Sequence, residues 1–531
     1  MRATHPPRLP NDASHRCTRL GTRLRTVALC LGLTGLLFAG CASVPKDDPR
    51  TVSTAFQDHA GTALGRYVDQ AAARHPGESG FAIIRRGKIA FTARAAFAEL
   101  AEKTLDLQYY IWEPDATGRL LAERLVHAAD RGVRVRLLLD DMTFKGRDPA
   151  LAALDAHPNI EIRMVNPFAQ RSARGLEFLT NFQRLNHRMH NKTLVMDNAL
   201  AIVGGRNVGD HYFEVHTNAN FRDLDVAAGG PVVREISSVF DRFWNGHWSV
   251  PISALVDRPA TQADLQAART TLRALIAADN YPYPIDQDAA EFKSLLKHEI
   301  DKFVWAPGHL VWADPAEIAA TGRTTQMPEL LYRRLGRLDT ELLIESPYFV
   351  PRDRAIERLK ELHDQGVRVR VLTNSLASND VLAAHGGYAD RRKQVLRSGV
   401  ALYELRADAG VIKKRIAFFG AKAALHAKVL VFDRKDVFIG SLNLDPRSSD
   451  INTEAGLYVE SPELAAQVVA WMDEGVLPEN SYRVRLDADG TLSWVTKDDG
   501  KERVYHHDPE STAWQRFTAG FIGLLPIEDQ L

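Results

Sequence analysis

His190-Asn-Lys-Thr-Leu-Val-Met-Asp197, continuing through Gly204 and Asn207, is one pattern of a pair. The other is His426-Ala-Lys-Val-Leu-Val-Phe-Asp433, continuing through Gly440 and Asn443. Both obey H-x-K-x4-D-x6-G-x2-N without a gap, and the second follows the first by 426 − 190 = 236 residues. The apolar, β-branched run after each lysine reads as a strand. His and Lys stand two apart, so both side chains project to one face of an extended chain. Ala201-Ile-Val203 and Val437-Phe-Ile439 read as the next strands, closed by Gly-Gly-Arg-Asn and Gly-Ser-Leu-Asn. Glycine there permits close backbone approach, and asparagine presents a neutral amide donor.

The repeat extends upstream. Thr104–Trp112 is an apolar run, Thr117 can cap a helix reaching Ala128, Gly132 stops it, and Val133–Leu139 is the next strand. Glu341–Glu345, a helix near Arg354–Asp364, Gly366 and Val367–Leu372 repeat that order. Gly-Val-Arg-Val-Arg occurs at 132–136 and at 366–370, an offset of 234. Strand–helix–strand with a right-handed crossover implies parallel strands in an α/β layer fold. Two similar α/β domains are therefore expected, over 76–245 and 301–475. A helical linker or insertion at 246–300 separates them, and a hairpin and helix extension follows at 476–531.

With 531 residues, 45% apolar and 25% charged, the chain has the composition of a globular protein of two large domains or a few smaller ones. Formal net charge is zero, against a basic nucleic-acid coat, so no nucleic-acid partner is expected. A mean hydropathy of −0.23 excludes a polytopic membrane protein.

Residues 1–40 read as a signal peptide: Arg2, Arg8, Arg16, Arg19, Arg23 and Arg25 against Asp12 alone, then a short apolar run from Thr26. Phe38-Ala-Gly-Cys41 resembles a bacterial lipobox, in which the cysteine is lipidated and becomes the new N-terminus; 41–75 would then be an anchor-proximal linker. Ala42 after the cysteine favours the outer over the inner membrane in a periplasm-facing lipoprotein. Cys17 and Cys30 would leave with the leader, so the mature chain keeps no free thiol. Its formal charge is (67 − 6) − (67 − 1) = −5, so attachment to a membrane rests on the lipid rather than on net positive charge.

Each copy supplies an imidazole, an ammonium and an amide on one surface. Two copies facing across a pseudo-twofold double that set, and the natural centre between them is a phosphate. No HExxH or carboxylate-cluster metal site is written in the chain, and no cofactor or metal is expected.

The paired motif resembles that of the phospholipase D superfamily, in register over about residues 80–475. Asn186–Lys192, Gly204–Gly209, Phe221–Asp225, Thr373–Leu376 and Leu525-Pro-Ile527 resemble its cardiolipin synthase branch, nearest the lipoprotein-like third bacterial type. The resemblance implies two phospholipase-D-like α/β sandwich domains related by a pseudo-twofold, with the active site at their interface.

It also implies a two-step displacement at phosphorus. His190 is the expected nucleophile, forming a phosphohistidine, and His426 the general acid and base. Lys192, Lys428, Asn207, Asn443 and Ser441 would hold phosphate oxygens. Ser441 stands where the first copy has Gly205, so the half-sites are not equivalent. Asp197 and Asp433 complete the catalytic motif and are read as tying strands or loops near the site. Each imidazole needs an acceptor on its other nitrogen. By resemblance and register these are Glu454, 28 residues after His426, and Asp223, 33 after His190, with Asp225 a second candidate. The five extra residues fall within Tyr212–Asn220.

The activity implied is a phosphatidyltransferase making cardiolipin from phospholipids at a membrane. A hydrolytic phospholipase D is the alternative, and a periplasmic nuclease or a non-enzymatic binder are more distant ones. The resemblance leaves room for an unidentified activating protein.

Five further stretches have plainer readings. Tyr109–Trp112 and Pro347–Phe349 sit at matching strand ends, open to core packing or substrate contact. His385-Gly-Gly-Tyr388 could line a substrate site. His506-His507 reads as a solvated strand end. The apolar stretch Trp514, Phe517, Phe521, Ile522, Leu524 and Leu525 reads first as docked on the core, and second as a face toward a membrane.

Overall fold

The structure is a computed structural model and describes residues 50–279, 281, 288–324, 326–413, 421–498 and 500–523. The leader, Cys41, Leu524 and the Leu525-Pro-Ile527 block lie outside the described residues.

The first half carries strands β1 (Ser79–Ile84), β2 (Thr104–Tyr109), β3 (Arg134–Asp140), β4 (Ile160–Val165), β5 (Thr193–Met196), β6 (Leu200–Gly204), β7 (Ala219–Arg222), β8 (Asp225–Gly229), β9 (Ser249–Pro251) and β10 (Val304–Ala306). The second half carries β11 (Gly308–Trp312), β12 (Glu341–Glu345), β13 (Arg368–Asn374), β14 (Ala401–Leu405), β15 (Lys422–Leu425), β16 (Val429–Phe432), β17 (Asp436–Gly440), β18 (Ala455–Glu460), β19 (Ser481–Leu486), β20 (Leu492–Asp498) and β21 (Lys501–Tyr505). One sheet contains the run β1-β8-β6-β5-β2-β3-β4, and the other contains β11-β18-β17-β16-β12-β13-β14. The two runs match strand for strand, so the repeat read in the sequence is a repeat of topology.

In both, three consecutive strands are parallel and a following hairpin runs antiparallel on the other side of the first strand. Helices Ala116–Asp130 and Asp353–Asp364 make the first crossovers. The first of these is capped by Asp115, whose carboxylate accepts from the Gly118 N–H at 3.0 Å, and not by the expected Thr117. Strand β10, in the segment expected to open the second domain, instead pairs with β1 of the first sheet. Strands β19 to β21 widen the second sheet.

Period-two alternation splits each hairpin strand between two cores. Leu194 and Met196 face an outer core beneath helices Gly87–Leu100 and Ala116–Asp130. Val195, Ala201 and Val203 face a central core that also receives Val429, Val431, Val437 and Ile439 from the second sheet. Helices Pro231–Trp244 and Pro462–Gly475 contribute to that shared core. Burying each of these valine and isoleucine side chains contributes about 1.5–3 kcal/mol, and the shared core fixes the two sheets against each other.

Two backbone links cross between the copies. Strands β7 and β15 form a parallel pair from Ala219↔Lys422 to Arg222↔Leu425. On the opposite side Met189 bridges Thr453. These links bring the ends of both motifs to the interface. Among the described residues no helix is long and apolar enough to cross a membrane.

Candidate active site

His190 and His426 each precede the first strand of a hairpin, β5 and β16, and both are buried at the interface. Backbone pairing sets their positions. The His190 N–H donates to the Thr453 carbonyl at 2.9 Å, and the His426 N–H to the Arg222 carbonyl at 2.9 Å. The next residues after those carbonyls are Glu454 and Asp223. Each carboxylate is therefore delivered to the other copy's histidine: His190 Nδ1 to Glu454 at 2.8 Å, His426 Nδ1 to Asp223 at 2.7 Å. The sequence reading assigned one carboxylate per copy; the structure crosses them. Asp225, the second candidate, pairs instead with Arg94 at 3.0 Å.

The crossing fixes the tautomer. Nδ1 of each ring donates to a carboxylate, so Nε2 is the nitrogen left for chemistry. Burial is the largest influence on both imidazoles and pushes each down to about 4. Around His190, Glu454 opposes that shift, while Lys192 and Lys428 add to it. Around His426, Lys428 adds and Asp223 opposes, and Lys192 adds again. Each histidine thus feels both lysines, as a two-sided phosphate site requires. Burial also depresses the lysines, Lys428 to about 8 and Lys192 well below its ordinary range. Both ammonium groups bond the carbonyl of the histidine two residues before them.

The remaining motif residues divide. Asp197 and Asp433 sit at the far ends of β5 and β16, in turns whose central residues are both left-handed: Asp197 φ 53° and Asn198 φ 52°, Asp433 φ 51° and Arg434 φ 55°. The Asp197 carboxylate accepts from the N–H groups of Glu102, Lys103 and Thr104. Asp433 accepts from those of Asp339, Thr340 and Glu341. They tie the turn to the start of β2 and β12, a strand's length from the histidines.

Ser441 is fully buried and its hydroxyl donates to Glu454 while accepting from the Ala455 N–H, so it braces the carboxylate rather than facing a phosphate. Asn207 accepts from the Ile111 N–H and donates to the Tyr212 hydroxyl, which leaves one amide hydrogen uncommitted. Asn443 has a buried Oδ1 without a partner.

Aromatic residues surround both imidazoles: Tyr110 belongs to the strand end that the sequence left open to substrate contact, whereas Tyr212 and Phe221 were not read as aromatic neighbours of the site. Tyr110 stands edge-on to His190, with ring centroids 5.1 Å apart, and 5.5 Å from Lys192 Nζ. Tyr212 and Phe221 flank His426 at 5.1 and 5.0 Å. Tyr212 lies in the stretch that makes the first copy five residues longer, so that length difference was the available signal. Of the matching strand ends, Tyr109 and Phe349 are core, whereas Tyr110 reaches the site. Tyr348 donates to Asp380, whose charge reaches Lys428. His385 and Tyr388 belong to a buried network with Arg392, Glu404 and Asp508. His506 and His507 are exposed. Among the described residues no group of three or more His, Cys, Asp or Glu is arranged to hold a metal ion.

Two buried imidazoles with crossed carboxylates, facing two lysines across a duplicated α/β interface, define a phosphodiester-processing site of the phospholipase D kind. The family model for "Cardiolipin synthase, PLD-like domain" matches residues 96–244 and 331–475, one match per copy. Cardiolipin synthase C of Escherichia coli K12 is 40% identical over 461 residues, covering 86% of this chain and 97% of that protein. An uncharacterized protein of Helicobacter pylori 26695 is 31% identical, covering 82% of this chain and 87% of its own. Phosphatidylserine synthase of Haemophilus influenzae Rd KW20 shares the fold, with a TM-score of 0.54 at 13% identity, covering 88% of this chain and 100% of that structure. The chain belongs to the cardiolipin synthase family of the phospholipase D superfamily.

Proposed function

We propose that the protein is a phosphatidyltransferase that makes cardiolipin from phospholipids through a phosphohistidine. The observation that carries this reading is the crossed pairing of both histidines with carboxylates beside both lysines. Nε2 of His190 attacks the phosphorus of a donor phospholipid. The phosphorus–oxygen bond to the headgroup breaks, and His426 gives a proton from Nε2 to the departing alkoxide. The phosphatidyl group then rests on His190. His426, now neutral, takes the proton of a glycerol-headgroup hydroxyl on a second lipid as that oxygen attacks phosphorus, which frees His190. Lys192, Lys428 and the amides of Asn207 and Asn443 hold the non-bridging oxygens.

The acid role requires a protonated His426, whereas burial among positive charges favours its neutral form. The incoming phosphodiester supplies the missing condition: its negative charge between the two lysines offsets their effect on the ring. Burial of the site keeps bulk water from competing with the acceptor hydroxyl.

Cys41, lipidated after removal of residues 1–40, would hold the enzyme on the periplasmic side of the envelope, where donor and acceptor lie in one membrane. Replacing Cys41 by Ser should release the chain from membranes, read by fractionation. The test of function is lipid analysis of a cardiolipin-deficient bacterium expressing the wild type or His190→Ala. Cardiolipin with the wild type alone is the expected result. Phosphatidic acid in its place would make the enzyme a hydrolase.

A further inference from the structure

The C-terminal helix Ala513–Gly523 does not use its aromatic residues to pack. It lies along helix Leu382–Arg397 and buries Ala519. Asp508, five residues before it, anchors the segment through Arg392 at 3.0 Å. Trp514, Phe517 and Phe521 remain 71%, 64% and 56% exposed. Their spacing of three and four places them on one helical face, and over 513–522 Ala513 and Gly520 are the other exposed residues, so no charge interrupts the face. The expectation of core docking fails for these three rings. Single exposed apolar residues need no explanation, but three aromatics on one three-turn helix form a patch.

A second patch lies on the first domain. Helices Arg174–Thr180 and Phe182–Asn186 connect the end of β4 to the His190 motif. They expose Leu176, Leu179 and Phe182, Leu179 at 78%. Their last residue, Asn186, accepts from Arg447 of the second domain at 2.9 Å, which places the segment beside the interface that holds the site. Helix Leu382–Arg397, which carries the C-terminal helix, follows the loop in which Asp380 accepts from Tyr348 and acts on Lys428. Each patch is thus carried on a segment that connects to the site, one in each half of the chain.

We propose that these two patches dock the protein on a phospholipid bilayer, with the aromatic rings entering the region between headgroups and acyl chains. An uncharged Trp and Phe face suits that boundary. The proposal rests on the reading of the substrate as a membrane lipid and adds the part of the protein that presses on the membrane.

The experiment uses the full chain carrying His190→Ala, so that docking is read without turnover and independently of what the enzyme acts on. The chain is reconstituted in vesicles of phosphatidylethanolamine and phosphatidylglycerol with brominated acyl chains, and tryptophan fluorescence is recorded. Quenching is expected, and Trp514→Phe should remove at least half of it. Adding Leu179→Trp to the Trp514→Phe chain should restore quenching from the first domain. Quenching unchanged by Trp514→Phe overturns the C-terminal contact, and no restoration by Leu179→Trp overturns the two-sided surface. Both substitutions are at exposed positions and leave the packed residues untouched.

Discussion

Around His190 the orienting carboxylate is a glutamate braced by the Ser441 hydroxyl; around His426 it is an aspartate backed by bare chain. At Gly205, the position equivalent to Ser441, an added Cβ would fall 2.2 Å from Asp223 Oδ1. The carboxylate itself fills the space that the serine takes in the other half. That oxygen is satisfied by the Leu224 N–H at 2.8 Å. Serine with glutamate and glycine with aspartate are thus two solutions to one requirement, a fixed acceptor at Nδ1. The aromatic surroundings differ as well: one ring beside His190, two beside His426. The lesson is that a duplicated site conserves the atom that must be held while the means of holding it diverge.

The largest effect should come from removing either histidine. His190→Ala and His426→Ala should each lower turnover by about 10⁴-fold or more, with folding intact. A phospholipid bearing a p-nitrophenol leaving group separates their roles, because that group departs without a proton. With this substrate, labelled in the phosphatidyl part, His426→Ala should accumulate labelled protein and His190→Ala should not. The reverse pattern would exchange nucleophile and acid between the half-sites.

The crossing is tested next. Glu454→Gln and Asp223→Asn should each lower turnover of natural lipid by about 10²–10⁴-fold. With the p-nitrophenyl lipid, formation of labelled protein should recover in Asp223→Asn, which serves the acid, and stay slow in Glu454→Gln, which serves the nucleophile. Carboxylates acting within their own copy would give the opposite order. A smaller effect belongs to the braces. Ser441→Ala removes one bond to a charged group and should lower turnover about tenfold. Gly205→Ser should do at least as much damage although it copies the other half, because its side chain displaces Asp223.

Much of this was legible in the chain. The period of the repeat, the strand after each lysine and the two histidines follow from spacing, because the chemistry demands those residues and a strand tolerates few alternatives at them. Asp197 and Asp433 were grouped with the catalytic motif and read as ties near the site; the ties exist, but at left-handed turns on the far ends of the strands. The crossing of Glu454 and Asp223 was not. Each stands one residue after the carbonyl that pairs with the opposite histidine, and that pairing joins chain segments more than 200 residues apart. Local pattern carries no record of it. Ser441 was misread for a related reason: a hydroxyl near a phosphate site and one under a carboxylate look alike in sequence. For Trp514, Phe517 and Phe521 core docking was read ahead of an exposed face, because apolar periodicity says which residues share a face and not what covers it.

The smallest effect concerns acid stability, and it asks whether the two halves are energetically alike. Both imidazoles are held near 4, below the ordinary 6.5 or so of the unfolded chain. Between those values the unfolded state binds more protons than the folded one, so stability is fully present above about pH 6.5 and falls as pH drops toward 4. Each histidine should contribute a loss of about 2 kcal/mol at pH 5, about two degrees in melting temperature for a chain of this length. His190→Gln and His426→Gln should each flatten the melting temperature between pH 7 and pH 5 by a similar amount, because burial is the leading cause at both rings. If only one variant flattens the profile, the other histidine already carries a proton before substrate binds. That ring would be the acid poised before substrate arrives, and the phosphodiester would not be needed to charge it.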